Sequence, residues 1–208
     1  MSINETIVQA MTDLDEATLY AEVQKAVDGG ANRLDILAAL QQGMANVGNL
    51  FSERKYFLSE LMLSAEMFGE CQKIMGGEQD ADAQYGSFVI GTVYGDVHDI
   101  GKNIVASVFR SSGFKVVDLG VDVQPAAFLE AIKANDPKVV GFSCLLTTGF
   151  PAMKDCIAQV RATGLDKGRL LMIGGGPVEQ ATLEFVDGDY LGDSVQDAVE
   201  KAIAFAQA

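Results

Sequence analysis

Through the first 75 residues apolar side chains recur at spacings of three and four, the signature of helices with one buried stripe. The pattern predicts four helices, over 3–12, 15–28, 32–53 and 57–75. In the last, Leu58, Leu61, Met62, Ala65 and Phe68 fall on one stripe, expected to be bundle core. The period then breaks. GGEQDADAQYG, residues 76–86, is small, acidic and polar, and is expected to be an exposed linker between a helical bundle over 1–75 and a second domain over 87–208.

From residue 87 short β-rich runs alternate with amphipathic segments. Strands are predicted at 87–93 (SFVIGTV), 115–120 (KVVDLG), 138–145 (KVVGFSCL), 169–175 (RLLMIGG) and 189–192 (DYLG). Helices are predicted at 100–112, 125–135, 150–163, 178–185 and 194–207. Strands alternating with helices call for a parallel sheet covered on both faces with right-handed crossovers. Five such units suit a flavodoxin-like strand order, 2-1-3-4-5, in which ligands bind at the carboxyl ends of the strands where the order reverses. The fold class expected is α/β: an N-terminal four-helix bundle followed by a five-stranded parallel flavodoxin-like domain.

Composition narrows the function. With 49% hydrophobic residues and 21% charged, the chain can bury a sizeable core. A net charge of -14 with no Lys/Arg stripe repels phosphate backbones, so nucleic acid is not an expected partner. No apolar run approaches the length of a membrane span, and MSINETIVQAMTDL has no leader-like pattern, so no membrane partner and a cytoplasmic location are expected. Cys71, Cys144 and Cys156 are odd in number and widely spaced within apolar sequence, which reads as buried reduced thiols.

The chemistry converges on the edge where the predicted strand order reverses. GTVYGDVHDIGKNI, residues 91–104, holds the chain's one histidine just past the first strand, with Asp96 before it and Gly101 after it. Ser143 and Leu145 end the third strand, and Gly174, Gly175 and Gly176 end the fourth. Asp-x-His-x-x-Gly alone is a weak signal; the three motifs at their separations are a specific set. Asp96, His98 and Ser143 also admit a hydrolase-triad reading, but GFSCLL lacks the sharp nucleophile elbow. A flavin phosphate loop is disfavoured by Asp96 and Asp99, a phospho-acceptor domain by a serine at the end of strand 3, and a phosphate cradle at IGGG by its place after strand 4.

The set resembles the vitamin B12-binding region of cobalamin-dependent methionine synthase, and more closely the small corrinoid proteins of anaerobic methyltransferase systems, over nearly the whole chain. That resemblance implies cobalamin or a related corrinoid as cofactor, with cobalt ligated from below by His98 after the lower nucleotide base leaves. It implies Asp96 as the carboxylate on the other ring nitrogen. Asp99, Ile100, Gly101, Ser143, Leu145, Thr147, Gly174 and Gly175 would complete the cofactor site, the glycines giving room for the nucleotide tail and Ser143 a hydrogen bond to its base. In methionine synthase a second serine, six residues after the first, extends the Asp–His hydrogen-bond chain; here that position is Gly149, beside Thr147 and Thr148. YFLSELM, residues 56–62, resembles the family cap, so Phe57, Leu58 and Leu61 would shield the upper corrin face. The function implied is a methyl carrier that accepts a methyl group on Co(I) from a substrate-specific methyltransferase. It would pass the group to a second methyltransferase using tetrahydrofolate or a thiol, with a reductive activator as further partner. The alternative is a cobalamin-responsive regulator; such proteins typically carry a DNA-reading module ahead of the bundle. An adenosylcobalamin mutase subunit would lack this helical cap.

Overall fold

A computed structural model describes residues 3–77, 83–192 and 194–208. The heart of the expected linker, residues 78–82, lies outside the described residues. The chain divides into two compact units, Met1–Gln84 with Ser111–Gly113, and Tyr85–Arg110 with Phe114–Ala208.

The first unit contains α1 (Ile3–Thr12), α2 (Glu16–Asp28), α3 (Arg33–Ser52) and α4 (Leu58–Ile74). Two of the predicted starts are caps. Asp15 accepts from the Thr18 N–H ahead of α2, and Asn32 accepts from the Leu34 N–H ahead of α3. At α4 the Glu60 carboxylate reaches back to the Phe57 N–H at 2.8 Å. The Arg33 guanidinium donates to the carbonyls of Met75 and Gly77, fastening the end of α4 to the start of α3. The core is built from Ile7, Met11, Leu19, Val23, Ile36, Leu40, Met67 and Phe68, among others.

One expectation is corrected here. The buried face of α4 runs through Leu61, Ser64, Met67, Phe68, Cys71 and Gln72, whereas Leu58 and Met62 are exposed. The buried stripe admits Ser64 because its hydroxyl donates to the Leu61 carbonyl at 2.8 Å, which removes the cost of burying it. A polar residue in the stripe and apolar ones outside it hid the true face from the hydrophobic pattern.

The second unit runs β1 (Ser87–Thr92), α5 (Ile100–Ser111), β2 (Lys115–Asp118), α6 (Pro125–Asn135), β3 (Val139–Ser143), a 3-10 turn (Thr147–Gly149), α7 (Phe150–Ala162), β4 (Leu170–Gly174), α8 (Gln180–Val186), β5 (Tyr190–Leu191) and α9 (Val195–Gln207). All pairings are parallel and the order is β2-β1-β3-β4-β5, as the alternation predicted. β2 stops two residues early because Gly120 turns at φ +82, although Leu119 N–H still donates to the Ile90 carbonyl.

The sheet has two unlike faces, as strand alternation demands. Val89, Val140, Phe142, Leu171 and Ile173 pack with Phe128, Ile132, Ile157 and Val160 of α6 and α7 in one closed core. The opposite face carries Phe88, Ile90, Gly141, Ser143, Met172 and Gly174, small toward the carboxyl ends, with Phe88 stacked on Phe109 of α5 at 4.1 Å between ring centroids.

Within the helical unit α1 and α3 meet closely at Gly43, where an added Cβ would stand 2.5 Å from the Met11 Cβ. Gly43→Ala is expected to destabilise the protein by about 1–3 kcal/mol through overpacking, despite alanine's better helix propensity. Denaturant unfolding followed by circular dichroism measures it; a stabilised variant would refute the packing argument.

Candidate functional site

β1 lies between β2 and β3, so the loops after β1 and β3 leave the sheet side by side at the point where strand order reverses. The Asp96 carboxylate joins them. Its side chain is fully buried (0% exposed), and both oxygens are occupied. Oδ1 accepts from the His98 N–H at 3.0 Å and lies 2.7 Å from His98 Nδ1. Oδ2 accepts from the N–H groups of Leu145 at 2.5 Å and Leu146 at 3.1 Å. Burial alone would raise the carboxyl's pKa; the bonds from His98, Leu145 and Leu146 outweigh it and hold the group well below the usual carboxylate range.

An ionised Asp96 accepts only, so the facing Nδ1 of His98 is the donor of this pair. The imidazole side chain is 48% exposed. Thr92, buried beneath, donates its hydroxyl to the His98 carbonyl at 2.9 Å. On the other side of the loop Asp122 accepts from the Gly95 N–H at 2.8 Å and its own N–H donates to the Asp96 carbonyl. The loop after β1 is thus tied to those after both neighbouring strands.

Around His98 this edge is apolar and open. Tyr94, Val97, Ile100, Val121, Leu145 and Leu146 are all exposed, with Ile100 72% accessible. Such a gathering beside a polar pair marks a surface that takes an apolar ligand. Asp99 begins the turn into α5, where its carbonyl and carboxylate both accept from Asn103.

A cavity of about 420 Å³ opens on the sheet face that carries the small residues. It is lined by Gly101, Gly141, Ser143, Gly174 and Gly175, with further walls from α5 and α9. A Cβ added at Gly101 or Gly174 would meet nothing within 4 Å, so both positions leave open space where side chains would otherwise stand. Gly175 has a different reason. At φ +137 its Cβ would stand 1.9 Å from the Cys144 carbonyl oxygen, so close packing of the loops after β3 and β4 requires glycine there.

Of the residues predicted for the site, Asp96 and His98 pair at the loop after β1, while Gly101, Ser143, Gly174 and Gly175 line the cavity, whose walls include neither Asp96 nor His98. Leu145 joins through its backbone N–H; its side chain is exposed and does not line the cavity. Thr147 is exposed and opens the 3-10 turn, and the Asp96 carboxylate is held instead by the N–H groups of Leu145 and Leu146. Ser143 and His98 make no hydrogen bond to one another among the described residues, which removes the support for a triad. Phe57 and Leu61 belong to the helical unit: Phe57 is 68% exposed, and Leu61 is buried at 1%.

Three contributors were not tied to the site from sequence. Gly141, in the middle of a buried strand, is one; a strand-interior glycine is itself the signal of close approach or needed space. Lys102 is another, 3% exposed, lining the cavity with its ammonium on both Asp118 oxygens at 2.7 and 2.6 Å. Cys144 is the third. A Cβ at Gly149 would stand 2.6 Å from its sulfur, which explains why the residue six past Ser143 has no side chain.

Among the described residues no group of three or more His, Cys, Asp or Glu side chains is arranged to hold a metal ion. One imidazole held by a buried carboxylate, exposed apolar residues in the neighbouring loops and a cavity on the open face of the same sheet fit a metal that brings its own equatorial ligands in an apolar ring with a polar tail. That defines the class as a cofactor-binding α/β protein. The chain belongs to the B12-binding family: one B12 binding domain model matches residues 86–204 and a second matches residues 3–71. A corrinoid protein of Desulfitobacterium hafniense is 33% identical over 209 residues, covering 97% of this chain and 96% of that protein. Dimethylamine corrinoid protein 1 of Methanosarcina acetivorans is 37% identical over 187 residues, covering 86% and 88%. A chain of the methanol:cobalamin methyltransferase complex from Methanosarcina barkeri superposes with a TM-score of 0.82 at 29% identity, covering 99% of this chain and 80% of that one. The cofactor is cobalamin or a related corrinoid. No helix among the described residues is long and apolar enough to cross a membrane.

Asp96 governs the acid stability of this edge. Because its pKa is lowered on folding, its contribution is present above the ordinary carboxylate value near 4 and is lost as pH falls from there toward the native value. Asp96→Asn is expected to cost about 2 kcal/mol at neutral pH, since the amide cannot satisfy the His98 donors as well as those of Leu145 and Leu146. The difference from wild type should shrink between about pH 5 and pH 2 in urea unfolding series; a gap independent of pH would contradict the charge assignment.

Proposed function

We propose that this protein is a corrinoid methyl carrier. A substrate-specific methyltransferase loads it, a second methyltransferase moves the methyl group to tetrahydrofolate or a thiol, and a reductive activator returns it to service. The observation that carries the reading is the buried Asp96 holding Nδ1 of a half-exposed His98 among exposed apolar residues. The names of its relatives support it: the Methanosarcina proteins are described as a dimethylamine corrinoid protein and as part of a methanol:cobalamin methyltransferase complex.

When bound, the corrinoid supplies a cobalt centre that alternately takes up and releases a methyl group. In this reading His98 would hold the cobalt through Nε2, and Asp96 would set the strength of that ligand by holding the Nδ1 proton. With Nε2 disengaged, the buried Asp96 carboxylate would still hold the Nδ1 proton and keep the ring in place. Gly101, Gly174 and Ser143 receive the nucleotide tail along the open face of the sheet. Ile100, Val97 and Tyr94 give the corrin an apolar seat and keep water from beneath it. In the helical unit, Phe57, Leu58 and Met62 form an exposed apolar edge at the start of α4, of the kind a cofactor cap needs.

Mixed with hydroxocobalamin and freed of unbound corrin, the protein is expected to retain one corrin with a nitrogen lower ligand. His98→Gly should retain corrin and lose the nitrogen signature in the electron paramagnetic resonance of the Co(II) form; an unchanged spectrum would sink the ligand assignment. For the carrier role, the loaded and reduced protein is given a methanol-, methylamine- or methoxyarene-specific methyltransferase with its substrate. Uptake of one methyl group per corrin from one of them is expected. No uptake from any would turn the reading toward a cobalamin-responsive regulator.

A further inference from the structure

Asp96 is gripped from the β3 side by two consecutive backbone N–H groups, those of Leu145 and Leu146. A two-residue grip of this kind holds only if the turn that presents it is itself fixed, and the residue just before it is Cys144. That side chain is fully buried, and its thiol donates to the Leu146 carbonyl at 3.1 Å, closing the turn on itself. The Cys144 backbone is fixed from both sides: its N–H donates to the Gly174 carbonyl at 3.0 Å, and Gly175 packs directly on its carbonyl. Its sulfur fills the space beside Gly149. Burial, and then the neighbouring Asp96 carboxylate, push the thiol up to about 12, so it keeps its proton at neutral pH and serves as a donor.

We propose that Cys144 is a positioning residue for the Asp96–His98 pair: its buried thiol braces the Leu145–Leu146 turn whose two N–H groups hold the Asp96 carboxylate. This rests on the reading of His98 as the lower ligand only for its purpose; the brace itself is a property of the chain. A thiol that merely fills space would stabilise the whole unit evenly. A brace acts locally, on two amides and, through Asp96, on one imidazole.

The chain has a single histidine, so the full-length protein without corrin and without an affinity tag shows one imidazole in a nitrogen-15 NMR spectrum. In wild type that ring is expected as the Nδ1–H tautomer, with slow exchange at the Leu145 and Leu146 amides. Cys144→Ala should speed exchange at those two amides about three- to tenfold, the loss expected for one ordinary hydrogen bond, and mix the tautomers. Two variants return a hydroxyl to the same space: Cys144→Ser, and the double variant Cys144→Ala with Gly149→Ser, in which the sulfur no longer obstructs the new side chain. Both should restore slow exchange and a single tautomer. Unchanged amides and imidazole in Cys144→Ala would overturn the proposal. Faster exchange spread evenly over the α/β unit would do the same, as would failure of both hydroxyl variants. These measurements need no corrin, so they fail separately from the His98→Gly spectroscopy.

Discussion

A carboxylate with no solvent exposure must find all its partners within the protein, and Asp96 finds them on two loops that are far apart in sequence. Burying an ionised group without partners is costly enough that the loops after β1 and β3 have little choice of arrangement. The orientation of His98 follows from that demand. So does the placement of the cavity, because the turn that grips Asp96 starts where β3 ends at Ser143 and lies against Gly175.

The order β2-β1-β3 puts those loops next to one another, and the order was legible because each strand is a compact apolar run separated by a helix of ordinary length. Such a pattern admits few topologies. Asp96, His98 and Gly101 were legible for a local reason: they sit in one short turn, and their spacing carries the chemistry. The Leu145 and Leu146 amides were not, since backbone donors leave no mark on residue type. Gly175 was recognised as special, but its cause is a clash with the Cys144 carbonyl that only folded loops reveal.

The helical unit teaches the opposite lesson. Its four helices were legible from periodicity, and two of their predicted first residues, Asp15 and Asn32, are caps in the structure. The face of α4 was not, because Ser64 is buried with its hydroxyl satisfied while Leu58 and Met62 stand in solvent. Hydrophobic periodicity measures what a helix ordinarily buries, and it fails where apolar residues are kept outside. That failure falls at the stretch whose sequence resembles a cap.

The two faces of the sheet differ in how freely they can drift. On the α6 and α7 side, valine, leucine and phenylalanine interlock, and almost any change loosens them. On the other side Gly101 and Gly174 hold space open, and a Cβ added at either meets nothing within 4 Å. A lineage released from the need for its cofactor would therefore accumulate bulk there first, and would become sturdier as it lost its purpose. In this fold the small residues are the perishable record of function, while the well-packed ones record only that the chain still folds.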